Sequence, residues 1–326
     1  MFELNCDICK DYQKIDTNKQ KMFEDYIFDK TFNLENITVM MINNNSLIIQ
    51  INKDNNIYEF EIIKEIAEGT FGKIYKLYCE EFNVVLALKV EKAADDDKIK
   101  PIEEDISKFL IENSCNLLKV KYIGKNSSLH LYLMELANGD LNHLKIFYKQ
   151  NCREKNNYKT LKFYRDIAEE IRKQMVCLLL NSGYQYVYTD IKLDNILYRC
   201  INKNTIRIFL GDLGSAVPDE DHNEYAATFP PWEYRNNKGI LEFDINKQKK
   251  QTLSWMIGII LLSFVYNDDI YKNYNSSNLY MLNESKHNRI ITRYISNIYG
   301  EIFSAYLNVN PEKRPDIFKP LPPIKR

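Results

Sequence analysis

The chain has 326 residues with 44 Lys+Arg against 45 Asp+Glu, a formal net charge of −1, so bulk charge argues against a nucleic-acid or anionic-membrane partner. At 45% hydrophobic and 13% aromatic it can bury a large core, which excludes wholesale disorder and fits one bilobal domain or two ordinary ones.

Met1 to Asp7 lacks a basic-then-apolar leader, and no apolar run reaches bilayer-spanning length. The seven cysteines are odd in number and scattered, which predicts reduced thiols and a cytoplasmic protein. Cys6-x-x-Cys9 is half of a zinc motif, with no second pair at finger spacing. Residues 1–35 are charged, with weak helical periodicity around Met22 to Phe32. Ile37 to Ile42, Leu47 to Ile51 and Ile57 to Ala67 then read as strands joined by Asn-rich turns, and the first two are expected to extend the sheet of the lobe that begins near residue 57. Further strands fall at Ile74 to Cys79 and Val84 to Val90. A helix is predicted over Ile102 to Asn113, with strands again at Leu118 to Ile123 and Leu129 to Leu136. Past residue 140 the pattern turns mainly helical, and Trp255 to Tyr266 has the composition of a buried core helix.

Four places carry residues suited to chemistry. Gly69 and Gly72 sit in a turn between strands, where missing Cβ atoms let backbone N–H groups approach a polyphosphate; an ordinary hairpin would use the same residues. Lys89 interrupts an apolar strand, and an ammonium there demands an anion, such as a phosphate together with Glu103, Glu104 or Asp105 of the following helix. In Tyr188-Thr189-Asp190-Ile191-Lys192-Leu193-Asp194-Asn195, Asp190 can orient an attacking hydroxyl and accept its proton, while Lys192 can neutralise a transferring phosphoryl group. Asn195, with Asp212 of Gly211-Asp212-Leu213-Gly214, offers one neutral and one anionic oxygen to Mg²⁺.

At these residues the chain resembles the eukaryotic protein-kinase superfamily, from about Ile57 to Lys319. The resemblance implies an α+β, bilobal fold: an N-terminal extension with a β-hairpin (1–56), a β-rich N-lobe with one main helix (57–137) and an α-rich C-lobe (138–326). It implies ATP with Mg²⁺ (Mn²⁺ as the alternative ion) as cofactors and protein Ser/Thr hydroxyls as acceptors, Lys192 being the mark of the Ser/Thr branch. Residue by residue, Ala67, Gly69, Thr70, Phe71 and Gly72 form the phosphate loop, Lys89 meets the α- and β-phosphates, Asp190 is the catalytic aspartate, and Asn195 and Asp212 are metal ligands. Met134 stands as gatekeeper, the backbone of Glu135 and Ala137 meets the adenine edge, and Ile66, Ile74, Ala87 and Leu197 sandwich the purine or serve as plain core. The carboxylate partner of Lys89 is Glu104 by helix reach, or Asp105 by the family's interval. Glu233 and Arg314 resemble a structural ion pair.

The chain departs from the family pattern at Ala67, at Tyr188-Thr189 in place of His-Arg, and at Leu253 in place of a helix aspartate. Loss of the arginine before Asp190 removes the usual reader of a phosphorylated activation loop, so activity is expected without phosphorylation of Ser215, Tyr225 or Thr228. The absent His and Asp suggest an apolar substitute beneath the catalytic loop, Tyr188 packed against the Trp255 helix. The altered support positions leave a pseudokinase, holding nucleotide or a partner without turnover, as the alternative function; a small-molecule kinase is disfavoured by Pro231-Trp232-Glu233 with Arg314. The Asn, Ile, Lys and Tyr bias suggests an AT-rich genome, whether of a virus, a parasite or an amoeba, and the divergent motifs are similar to protein kinases of large DNA viruses, a source that would place the protein in host cytoplasm or virion.

Overall fold

The computed structural model describes residues 2–3, 8–9, 17–28, 37–43, 46–53, 56–69, 72–92, 115, 117–126, 129–151, 157–183, 186–188, 190–213, 216–217, 229, 231–232, 245–265, 283–295 and 304–324. The expected helix over 102–113, with Glu103, Glu104 and Asp105, lies outside these residues, as do Thr70, Phe71, Thr189, Ser215, Tyr225, Thr228 and Glu233.

In chain order the elements begin with β1 (Phe2–Glu3), α1 (Thr17–Ile27), β2 (Ile37–Asn43), β3 (Ser46–Lys53), β4 (Asn56–Glu68), β5 (Gly72–Cys79), β6 (Val84–Lys92), β7 (Val120–Asn126) and β8 (Leu129–Met134). They continue with β9 (Gly139–Asp140), α2 (Leu141–Asn151), α3 (Asn157–Asn181), β10 (Val187–Tyr188), β11 (Ile196–Asn202), β12 (Thr205–Leu210), β13 (Ala216–Val217), α4 (Ile245–Val265) and α5 (Glu284–Ile295). The chain divides into two compact units, one of Cys9–Asn138 with Arg199–Thr205, the other of Met1–Ile8, Gly139–Tyr198 and Ile206–Arg326.

The N-terminal unit is a seven-stranded antiparallel sheet in the order β2-β3-β4-β5-β6-β8-β7, so the strands over 37–53 do extend it. Alternation along the strands sends Ile49, Ile51, Phe60, Leu77, Leu86, Leu88 and Leu133 to one buried cluster. Phe23 and Ile27 of α1 join that cluster, so the N-terminal helix covers this face of the sheet. The helix begins at Thr17, earlier than its periodicity suggested. Its Gln20 is buried and bonds the backbone of Val85 in both directions, Nε2 to O at 2.7 Å and N to Oε1 at 2.9 Å.

Cysteine chemistry differs from expectation. Cys9 and Cys200, 191 residues apart, form a buried disulfide with Cα atoms 5.8 Å apart, and Cys115 and Cys177 are disulfide-bonded as well. The expectation of reduced thiols is thus corrected, and with it the cysteine ground for a cytoplasmic setting; no count of spacings could reveal which thiols the fold brings together. Cys9 in a disulfide has no thiolate for zinc. Cys79 keeps a buried thiol, whose pKa burial pushes up. Among the described residues no helix is long and apolar enough to cross a membrane.

The C-terminal unit is built on helices. Along α4, every residue from Thr252 to Phe264 is buried, as a helix apolar all round must be. Tyr164 of α3 stacks on Phe264 at 4.8 Å, and Lys145 of α2 donates to the Ser263 carbonyl at 2.6 Å. Gln174 of α3 pins β12 by donating to Ile208 O at 2.8 Å and accepting from Leu210 N at 2.9 Å. That bond pair fixes the strand leading into Asp212.

Candidate functional site

In the N-terminal unit, strand register gathers the predicted nucleotide residues on one face of the sheet. Ala67 pairs with Ile74, Ile74 with Lys89, and Ala87 with Met134; Ala87 and Lys89 share a face by period-two alternation. Ile66 falls at the register shift between Glu65 and Ala67 and is 40% exposed. The turn between β4 and β5 is closed by Gly69 N donating to Gly72 O at 2.8 Å.

The two turn glycines differ in what they require. A Cβ on Gly72 would collide with Val90 O and lie 2.9 Å from Glu91 Cα, so close pairing with β6 excludes any side chain there. A Cβ on Gly69 would meet only Gly72 O, at 4.0 Å. Gly72→Ala should therefore destabilise the fold by about 1–3 kcal/mol or more through overpacking. Gly69→Ala should stay within about 0.5 kcal/mol of wild type in the same denaturant titration.

Lys89 has a carboxylate neighbour that motif reasoning missed. Glu91 Oε1 lies 2.5 Å from Lys89 Nζ, both side chains being largely buried, and the ammonium also sits 5.7 Å from the Tyr132 ring centroid. The signal was in the strand, since residues two apart share a face. Met134 ends β8 and Glu135 comes next, buried; Glu135 N donates to Lys119 O at 3.1 Å, and its Oε2 accepts from Lys119 N at 3.1 Å. Ala137 lies in the segment running on to Asn138.

In the C-terminal unit, β10 pairs with β13, Val187 opposite Val217 and Tyr188 opposite Ala216. Lys192 Nζ donates to Asp190 Oδ2 at 2.7 Å. Asn195 Nδ2 donates to the same oxygen at 2.8 Å and to Asp190 O at 3.0 Å. With its amide nitrogen so engaged, the Asn195 side chain keeps Oδ1 as its acceptor. Asn195 O in turn accepts from Gly211 N at 2.8 Å, which links Asn195 to the residue before Asp212. Asp212 has φ +48°, a left-handed conformation that a short carboxylate side chain tolerates and that recurs at functional positions. Leu197 packs against Gly211, where a Cβ would meet Leu197 Cδ1 at 2.8 Å.

Tyr188 replaces the expected apolar support with a hydrogen-bonded one. It is 1% exposed, and its hydroxyl donates to Gly211 O at 2.6 Å, directly before Asp212. Burial, with the charges of Asp212 and Asp190 adding to it, holds its pKa well above the usual tyrosine range, so the phenol remains a donor at neutral pH. Leu253 is fully buried in α4, as an apolar residue in the aspartate position should be. Tyr188→Phe strands the Gly211 carbonyl and should cost about 1–3 kcal/mol of stability in a denaturant titration.

The end of the activation-like segment is tied to α4. Trp255 Nε1 donates to Phe229 O at 3.2 Å, and His287 contacts Trp232 at 4.6 Å between ring centroids. Arg314 lies over the Trp255 ring at 5.0 Å and donates to Asn308 O and Gln251 O. Its expected partner Glu233 is outside the described residues.

Asn195 and Asp212 each carry side-chain oxygen, the donor type that a hard divalent cation takes. Compared with known proteins, residues 60–321 match the protein kinase domain family. The chain is also 23% identical over 282 residues to a probable serine/threonine-protein kinase of Dictyostelium discoideum; the match covers 80% of this chain and 24% of that relative. The chain thus aligns with only about a quarter of the relative's length.

Proposed function

Because the chain belongs to the protein kinase domain family, we propose that it is a Ser/Thr protein kinase, transferring the γ-phosphoryl group of ATP, with Mg²⁺, to protein hydroxyls. The observation that carries this reading is the convergence of Lys192 Nζ and Asn195 Nδ2 on Asp190 Oδ2, which orients one carboxylate beside one cation. The substrate oxygen bonds to the γ-phosphorus, the bond from phosphorus to the β,γ-bridging oxygen breaks, ADP leaves, and the hydroxyl proton passes to the Asp190 carboxylate. Lys192 neutralises charge on the transferring group. Asn195 and Asp212 would hold Mg²⁺, which when bound would supply charge neutralisation at the phosphates.

In this reading the N-terminal unit binds the nucleotide. Gly69, Thr70, Phe71 and Gly72 offer backbone to the phosphates, and Lys89 takes the α- and β-phosphates, with Glu104 or Asp105 as its carboxylate partner beside Glu91. Ile66, Ile74 and Ala87 line the purine, and Ala67 opens the phosphate loop. Met134 limits the depth of the site, while the backbone of Glu135 and Ala137 meets the adenine edge. Thr189 brings no guanidinium next to Asp190, which supports activity without phosphorylation of the segment from Asp212 to Glu233. The buried phenol of Tyr188 on Gly211 O and the buried Leu253 support a repacked site over a pseudokinase.

Unphosphorylated protein tested on peptides carrying Ser, Thr or Tyr as the sole acceptor should label the first two. Label on tyrosine alone, or activity arising only after phosphorylation of Ser215, Tyr225 or Thr228, would contradict the proposal.

A further inference from the structure

Helix α1 lies outside the span matched to the kinase domain, which begins at residue 60, yet it is bolted to the segment assigned here to adenine. Gln20 Nε2 donates to Glu24 Oε1 at 2.6 Å, leaving Glu24 Oε2 to accept from Arg199 Nη1 at 2.8 Å. The same Nη1 lies 3.5 Å from Glu135 Oε1. Glu24 and Glu135 are both buried, so the guanidinium bridges two carboxylates inside the unit.

Neighbouring contacts reinforce the join. Cys200 N donates to Asn138 Oδ1 at 2.8 Å, and the disulfide from Cys200 to Cys9 ties down the chain ahead of α1. Asp25 pairs with Lys119 Nζ at 2.9 Å, and Lys121 Nζ donates to Ile27 O at 3.1 Å, on either side of the backbone start of β7. Lys119 is also the residue whose backbone holds Glu135.

We propose that α1 is a built-in positioning element for the nucleotide-binding segment 135–138, acting through Arg199 as the bridge between Glu24 and Glu135. The proposal rests on the kinase reading for the identity of the ligand, but the mechanical coupling is a property of the N-terminal unit alone. Arg199 is a positioning residue: it sets where the Glu135 carbonyl and the Ala137 backbone stand, and takes no part in phosphoryl transfer. Its loss should therefore weaken ATP binding and spare turnover at saturating ATP.

The test uses the full chain carrying Arg199→Gln, Arg199→Lys or Glu24→Gln, with hydrogen exchange of peptides covering 131–138 and ATP titration as parallel readouts. For Arg199→Gln, exchange of that segment should quicken about tenfold and the ATP Kd rise about tenfold. Turnover at saturating ATP should stay within about twofold, the split expected of a binding element rather than a transition-state group. Arg199→Lys should restore part of both effects, since it keeps the charge but not the fork. Glu24→Gln, nearly isosteric, should move both readouts in the same direction and carries the test if Arg199→Gln does not fold. Unchanged exchange and unchanged ATP affinity in Glu24→Gln would overturn the role of α1. If wild-type protein bound no ATP the kinase reading would fail, while the exchange data would still decide whether α1 and Arg199 hold the segment.

Discussion

Replacing Asp190 by Asn should lower kcat by about 10³ while leaving ATP affinity nearly unchanged, the range in which general-base contributions fall. The amide is nearly isosteric, so the change removes proton acceptance and the anionic partner of Lys192 without opening a cavity. Asp190 Oδ2 receives both Lys192 Nζ and Asn195 Nδ2. An Asn side chain can still accept one of those bonds, which should preserve the fold. Kinetics at varied ATP together with ATP-induced thermal stabilisation check this directly. A variant that loses ATP binding and turnover in parallel would mean that Asp190 acts as scaffold, not as base.

The largest expected effect on stability lies away from this site, at Arg172. Its guanidinium is buried and grips Glu169 in fork geometry, Nε to Oε2 at 2.9 Å and Nη2 to Oε1 at 2.7 Å, and Nη1 donates to Ile317 O at 2.7 Å. Glu169 Oε2 also accepts from Leu321 N at 2.9 Å, so α3 clasps the segment 317–321. Arg172→Met leaves a buried carboxylate without its cation and should cost about 3–5 kcal/mol, a large share of the ~5–15 kcal/mol typical of a folded domain. Adding Glu169→Leu should recover part of that loss, because it removes the lone buried charge while Leu321 N and Ile317 O stay without their side-chain partners.

The same pair sets an acid limit. Burial pushes the Glu169 pKa up, but hydrogen bonds from Arg172 and Leu321 and the charges of Arg172 and Arg165 outweigh it and hold the carboxyl below its ordinary value of 4.5. A carboxyl with a depressed folded-state pKa binds protons more readily when unfolded. Its stabilising contribution is therefore complete above about pH 4.5 and lost as pH falls through the lower, folded-state value. In Arg172→Met the acid-side loss attributable to this group should vanish or reverse sign, which urea titrations across that pH range would show.

Much of the fold was legible because local rules and tertiary packing agree. The β-branched runs at 37–51, the Asn-rich turns and the uniformly apolar stretch of α4 each have one stable reading, and the sheet and buried helix conform to it. Spacing put Asp190, Lys192 and Asn195 in one short segment, and there Lys192 and Asn195 both bond Asp190 Oδ2. What stayed hidden depends on groups that meet only after folding. The Tyr188 hydroxyl finds Gly211 O across 23 residues, and an aromatic side chain in a sequence does not announce whether its polar tip will be used. Arg199 finds Glu24 across 175 residues, and Cys9 finds Cys200 across 191. Glu91 was legible in the strand itself, since alternation places it on the same face as Lys89.

The central claim, that these residues transfer phosphate, is tested most directly by incubating the purified chain with γ-labelled ATP, Mg²⁺ and a protein substrate while ATP occupancy is tracked by thermal stabilisation. The account predicts label on serine or threonine of the substrate. Saturating ATP binding with no transferred label, in Mg²⁺ and in Mn²⁺ alike, would contradict it and leave a nucleotide-binding pseudokinase.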